Sequence, residues 1–270
     1  MANSPQPGLL LRRNMVDRTA EKWRPPLFAP SKGRWGSMMA ALRRFLDLQA
    51  GSIWRDLKIV LPHVTGIIVD AGCGAQPYRS LVPPTATYIG IDDAKSKDRF
   101  GYDVPDARYF SGDHWPIADS SVDFVLCTET LEHVPDSRQF LEEAFRCLAP
   151  GGTILITVPF AARWHFIPHD YWRYTPSGLS YLLRNAGFVN TRVYARGNAF
   201  TVACYKVMAL LLRLALPQTQ PTIVRLSLQI LFLPFVPTFL LIAILANWSL
   251  LGQGGDDCIG YTAMSERRSS

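Results

Sequence analysis

Asp70, Gly72, Gly74 and Asp92 have the types and spacing to do chemistry. Asp70 closes the apolar, β-favouring run Ile67-Ile68-Val69, and the two glycines follow one residue apart. Without a Cβ, a turn through them can take positive φ and present backbone N–H groups to a ligand. Pro77 stands where a helix would begin, so the stretch predicts a strand, a tight turn and a helix start with free donors and partial positive charge. Asp70 can balance a cationic group on the same ligand. Asp92 closes a second strand, Tyr88-Ile89-Gly90-Ile91, about twenty residues after Asp70, the distance at which a nucleotide-binding βαβ unit sets a carboxylate against ribose hydroxyls. A lone Gly-x-Gly fits an ordinary tight turn equally well.

Two further places carry polar chemistry. In Gly112-Asp113-His114-Trp115-Pro116, Asp113 can accept from an exocyclic amine and Trp115 can cover a flat ring, or both can serve the turn itself. The segment from Trp164 to Pro176 is rich in aromatic and titratable groups. There His169 is the favoured general base with Asp170 as its orienting carboxylate, and His165 and His133 are rivals. The alternative is that His169 and Arg173 only pin the loop through hydrogen bonds. No metal is expected at His165 and His169, because Pro168 breaks the helix that would bring them together.

These residues need elements to position them, and 270 residues at 48% hydrophobic content suffice for one large domain with an appendage. Helical spacing runs through Met38, Met39, Leu42, Phe45 and Leu46, and again through Ile53, Trp54, Leu57 and Val60. A short helix is expected over Tyr78 to Val82, ended by Pro83-Pro84, and strands at Val122 to Cys127 and Thr153 to Val158. Between those strands, Asp136 caps a helix with Phe140, Leu141, Ala144, Phe145 and Leu148 on one face. Thr175-Pro176 opens another helix, Gly187 ends it, and strands follow at Phe188 to Tyr194 and Cys258 to Met264. Alternating strands and helices imply an α/β fold whose parallel sheet is covered on both faces, with ligands at its carboxyl edge.

The five cysteines are widely spaced with no Cys-x-x-Cys pair, which disfavours a disulfide framework or zinc knuckle and fits a reducing cytoplasm. Residues 1–60 hold eleven Lys and Arg against four acids, about +7, and can meet anionic headgroups, nucleic acid or an acidic substrate, or form a solvated tail. The apolar run Gly8 to Leu11 is too short for a signal peptide.

From Ile67 to Phe160 the chain resembles the class I S-adenosylmethionine-dependent methyltransferases, particularly type 11. The resemblance rests on Val69-Asp70-Ala71-Gly72-Cys73-Gly74, Gly90-Ile91-Asp92, the run Trp115 to Val134 and Leu148-Ala149-Pro150-Gly151-Gly152-Thr153, in the family's order and spacing. It departs at Gln76, where the family usually has a third glycine, although Gln76-Pro77-Tyr78-Arg79 resembles a variant of the turn. A nicotinamide-type Gly-x-Gly-x-x-Gly is disfavoured, since its third glycine falls on Pro77.

The resemblance implies a doubly wound, mostly parallel seven-stranded sheet, the Rossmann-like methyltransferase fold. It implies S-adenosyl-L-methionine as cofactor: Gly72, Cys73 and Gly74 close to the methionyl part, Asp70 near its ammonium group, Asp92 on the ribose, Asp113 reading the adenine, and Thr128 joining them. His-Asp-Tyr-Trp-Arg-Tyr-Thr-Pro, residues 169–176, resembles a loop of some type 11 proteins expected to shape the acceptor site. No Asn-Pro-Pro-Tyr type of motif follows the strand, so nucleic-acid bases are disfavoured as acceptors.

One stretch is foreign to the minimal fold. Leu226 to Leu251 is uncharged, about 26 residues where about 20 span a bilayer. A single crossing would put the last two strands on opposite sides of a membrane. The segment must therefore return, as a hairpin with Val202 to Leu216 or as a wedge bent at Pro234 and Pro237; a soluble lid or dimer face is the alternative. The expected division is a basic irregular arm over 1–36, a methyltransferase domain over 37–200 plus 256–266, and a hydrophobic helical insertion over 201–255. The expected function is methyl transfer to a small-molecule, lipid-linked or glycan-precursor acceptor at the cytoplasmic membrane surface. A noncatalytic membrane or partner module on the same fold, or a soluble small-metabolite methyltransferase, are the alternatives.

Overall fold

The computed structural model describes residue 21 and residues 33–101, 103–216 and 221–269. The expected arm over 1–36 therefore lies outside the described residues, apart from Glu21 and residues 33–36. The latter already belong to the first helix, α1 (Gly33–Leu46), which starts earlier than the spacing of its apolar residues suggested. Helix α2 (Leu48–Val60) follows, with Asp47 as N-cap accepting from the N–H of Ala50 at 3.2 Å. A Cβ on Gly51 would stand 2.3 Å from the carbonyl oxygen of Arg44, so the helices meet at backbone contact, which only glycine allows.

One seven-stranded sheet forms the centre. Its strands are β1 (Ile67–Ala71), β2 (Thr87–Asp93), β3 (Arg108–Phe110), β4 (Val122–Thr128), β5 (Leu148–Pro159), β6 (Val189–Arg196) and β7 (Gly260–Glu266), in the order β3-β2-β1-β4-β5-β7-β6. The first five run parallel, and β7 is antiparallel to both β5 and β6. Val69 pairs with Ile89 on one side and Val125 on the other, so the strand order reverses between β1 and β4. At that reversal the connections leave in opposite directions and open a crevice at the carboxyl ends. Thr128 lines it, and Asp70 is buried at the end of β1.

Helices α3 (Ser96–Phe100), α4 (Ser137–Cys147) and α5 (Pro176–Asn185) lie along the sheet, and the last two carry the expected caps, Asp136 and Thr175. One apolar core holds Leu141 and Ala144 of α4, Leu179 and Leu183 of α5 and Val69, Val125 and Ile154 of the sheet. A second joins Ile53, Leu57 and Leu61 to Ile68, Leu126 and Leu155. Each such fully buried aliphatic side chain contributes about 1.5–3 kcal/mol.

The short helix expected over Tyr78 to Val82 is present but is not α-helical. The chain instead makes successive i→i+3 turns, Gln76 N to Cys73 O, Arg79 N to Gln76 O and Leu81 N to Tyr78 O, ending in a 3₁₀ turn at Arg79–Leu81. Gln76 sits at φ +53°, and Val82 is already extended ahead of Pro83, so no room remains for an α-helical turn. Strand β3 and helix α3 were not foreseen, being only three and five residues long. Strand β5 begins at Leu148, ahead of Pro150-Gly151-Gly152, because Leu148 pairs with Val122 before the register shifts.

Between β6 and β7 stand α6 (Ala199–Ala215), α7 (Thr222–Phe232) and α8 (Val236–Ser249). The stretch Thr222–Ser249 is helical over 28 residues, long and apolar enough to cross a membrane, and little of it is buried. Asn198 caps α6 with a reciprocal capping box to Thr201. Cys204 and Met208 of α6 pack with Ala243 and Ala246 of α8 and Leu48 of α2, so α6 and α8 pair as a hairpin seated on the N-terminal helices. Arg55 donates to the Asn247 side chain at 2.9 Å, and Asn247 Nδ2 donates to the carbonyl of Phe45 at 2.8 Å.

Candidate functional site

The glycine turn leaves β1 with Gly72 at φ +74° and Gly74 at φ +49°. Its N–H groups are not bare as expected. Those of Gly72 and Cys73 both donate to the carbonyl of Ile91, at 2.9 and 3.1 Å, and that of Gly74 donates to Asp92 Oδ2 at 2.9 Å. What the glycines supply is proximity: a Cβ on Gly72 would lie 2.2 Å from Cγ2 of Thr130, and one on Gly90 would lie 2.7 Å from Nε2 of Gln76.

Asp70 is buried beneath this turn at 1% exposure. The Tyr88 hydroxyl donates to its Oδ2 at 2.5 Å, and its Oδ1 has no partner. Burial pushes its carboxyl up to about 7; the Tyr88 bond opposes that shift and the neighbouring Asp92 adds to it. Asp92 Oδ1 accepts from the N–H of Asp93 at 2.8 Å, and burial raises this carboxyl too. Each oxygen of Asp92 keeps a lone pair for a further donor.

Two cavities open along the crevice. The first, about 210 Å³, lies between the glycine turn and helices α1 and α2, with Thr128 and Glu129 on its sheet side and Arg43, Arg44 and Trp54 on its helical side. The second, about 260 Å³, runs past Phe110, Asp113 and Trp115. Gly72, Asp92, Phe100, Thr130 and His133 line both, so they form one continuous groove bent around Asp92 and His133. Asp113 is exposed at the far end, while Trp115 is buried edge-on against Phe140.

The structure redistributes the histidines. Asp170 does not orient His169; its Oδ2 lies 2.8 Å from Nδ1 of His165, and Arg173 donates to both its oxygens at 2.6 and 2.8 Å. Successive side chains of an extended loop diverge, which separates His169 from Asp170. Burial alone would raise Asp170; the bonds from Arg173 and His165 more than offset it and hold the carboxyl well below its usual range. His169 is half-buried with Tyr171 at 3.4 Å, and burial and Arg99 lower its pKa.

His133 is the imidazole on the groove. Its Nδ1 lies 2.6 Å from the carbonyl of His169, which only accepts, so Nδ1 carries the proton, and the unprotonated Nε2 stands 3.7 Å from Oε1 of Glu132. Burial and then His165 lower its pKa to about 4, so the ring is neutral at pH 7. Beneath it Glu132 is fully buried with neither carboxyl oxygen hydrogen-bonded, and burial, then Glu129, raises it well above the usual range. Donor atoms of Glu132, His133 and His165 all lie within 4.8 Å of one another. Sequence reasoning missed Arg43, Arg44 and Trp54 as groove wall, because helical spacing marks a buried face without saying what it faces.

Residues 69–156 match the family model described as a methyltransferase domain. A probable S-adenosylmethionine-dependent methyltransferase of Mycolicibacterium smegmatis is 34% identical over 34% of this chain and 37% of its own length. The trans-aconitate 2-methyltransferase of Variovorax paradoxus is 31% identical over 38% of this chain and 41% of its own. The chain thus spans well under half the length of these two relatives. Among solved structures, a SAM-dependent methyltransferase from Archaeoglobus fulgidus superposes with a TM-score of 0.49 at 14% identity, over 85% of this chain and 99% of that one. Residues 69–156, from β1 through the reversal to β5, belong to the type 11 family of methyltransferase domains.

Proposed function

We propose that this chain transfers a methyl group from S-adenosyl-L-methionine to a small-molecule or lipid-linked acceptor, a glycan precursor included, at the cytoplasmic face of a membrane. The observation that carries the reading is the continuous groove at the strand reversal, with Asp92 at its bend and His133 facing both arms. The residues present fit the cofactor. Asp70 keeps a buried, unpartnered oxygen beneath the turn for a cationic group, the cradle at Gly72 has no space for a Cβ, and Asp92 has lone pairs for ribose hydroxyls.

When bound, the cofactor supplies an electrophilic methyl group for in-line displacement. The chain's part is to hold an acceptor atom about 3 Å from that carbon and to exclude water. Thr128, Gly72, Cys73 and Gly74 would hold the methionyl end, and Asp113, at the far end of the groove, would accept from the adenine amine. Phe100 and Phe166 meet edge-on beside His133 and shield it. His133, whose Nε2 carries no proton, receives the proton of the acceptor; His165, held by Asp170, backs it, and His169 fixes its tautomer through the backbone carbonyl.

The membrane part of the reading is supported by the apolar faces of α6, α7 and α8. Leu210, Leu214, Ile223, Leu231, Ile244 and Trp248 are each more than half exposed. A face of this kind joined to a basic N-terminal region suits an anionic bilayer.

The test supplies S-adenosyl-L-methionine labelled on its methyl group, with membrane extract from cells lacking the protein. Label passing into the lipid phase supports the proposal. Label confined to the aqueous phase would favour a soluble acceptor, and cofactor binding without turnover would favour a noncatalytic module.

A further inference from the structure

The helical wall of the first cavity carries a guanidinium that nothing in the fold requires. Arg44 lies with its Cζ 4.0 Å from the ring centroid of Trp54, and both line the cavity opposite the glycine turn. Among the described residues no carboxylate pairs with Arg44, and burial lowers its pKa. Arg43 lines the same cavity, with Asp47 3.9 Å from its Nε. A partly desolvated cation stacked on indole is fixed in direction and keeps its in-plane N–H fork for an oxyanion.

The same wall is coupled to the apolar hairpin. Phe45, the residue after Arg44, receives the Asn247 amide of α8 on its carbonyl, and its side chain packs against the cluster that holds Ala243 and Ala246. Arg55 holds Asn247 from α2. Leu241, Ile244 and Trp248, on the same helix, are exposed. Helix α1 thus links the cavity that Arg44 lines to a hairpin whose exposed face suits an acyl or polyprenyl chain.

Resting on the proposed methyl transfer, we propose that Arg44, assisted by Arg43, is an anion subsite for the acceptor, and that the acceptor is an amphiphile with a phosphate or carboxylate beside its apolar chain. Trp54 sets the guanidinium plane, and Arg44 binds the oxyanion through paired N–H groups. The apolar chain stays along α8. Charge and grease are read together, so a free anion lacks half the recognition.

Calorimetry on the full chain saturated with S-adenosylhomocysteine tests this with dodecyl phosphate below its micelle concentration, dodecyl maltoside and inorganic phosphate as probes. Wild type is expected to bind dodecyl phosphate at least tenfold more tightly than either other probe. Arg44→Gln should lose at least tenfold for dodecyl phosphate and keep S-adenosylhomocysteine affinity within twofold, and Arg34→Gln, on the exposed start of the same helix, should change neither. Equal affinity of wild type and Arg44→Gln for dodecyl phosphate overturns the subsite. Inorganic phosphate binding as tightly as dodecyl phosphate overturns the amphiphile. A tenfold loss of S-adenosylhomocysteine in Arg44→Gln also overturns the proposal, by assigning the guanidinium to the methionyl carboxylate. Wild type that binds no S-adenosylhomocysteine sinks the methyl-transfer reading and this one with it, an outcome distinct from the other three.

Discussion

Asp70 keeps its proton in the fold to about pH 7, whereas the unfolded chain releases it near pH 4. With the folded value raised, the contribution is complete below about pH 4 and is lost as pH rises to 7. Asp70→Asn has no such proton to lose and still offers Tyr88 an acceptor. Unfolding curves should therefore coincide near pH 4 and diverge in favour of the Asn variant as pH rises, by on the order of 4 kcal/mol at pH 7. A gap that closes as pH rises contradicts the burial argument. His133 makes a different prediction: His133→Gln should lower kcat about 10²- to 10⁴-fold while leaving S-adenosylhomocysteine affinity within twofold, as measured by steady-state kinetics and calorimetry. Equal losses in both would make the ring a cofactor contact instead.

The elements hold these residues through close approaches that differ from glycine to glycine. Gly72 combines φ +74° with a Cβ position 2.2 Å from Thr130, whereas Gly112, at φ +90°, has nothing within 4 Å. Gly112→Ala should cost only backbone strain, about 1 kcal/mol, and Gly72→Ala about 2–4 kcal/mol in urea unfolding, with weakened cofactor binding. Similar costs at both sites would mean that the crowding at Thr130 relaxes. Strand periodicity, terminal acids and caps at Asp136 and Thr175 made the alternating fold readable, because each is local. The bare donors expected of the glycine turn were misjudged because the N–H groups of Gly72, Cys73 and Gly74 are spent on Ile91 and Asp92, which come from another strand. Likewise the partner of Asp170 is chosen by how the loop doubles back on His165, which residue types along the chain do not encode.

At the scale of the whole molecule, the groove and the apolar hairpin share one support, the pair α1 and α2, so membrane attachment would hold the acceptor wall in place. Flotation with vesicles of anionic lipid should carry the protein upward, weakening as salt rises. Ile223→Asp with Leu231→Asp, both on the exposed face of α7, should abolish flotation and leave the fold intact; unchanged flotation would remove the hairpin from the account. The central claim is that the groove bent around Asp92 holds an adenosyl cofactor. Isothermal calorimetry of the full chain with S-adenosylhomocysteine should show one site, weakened at least tenfold in Asp92→Ala. No heat with folded protein, or affinity unchanged in Asp92→Ala, would contradict it.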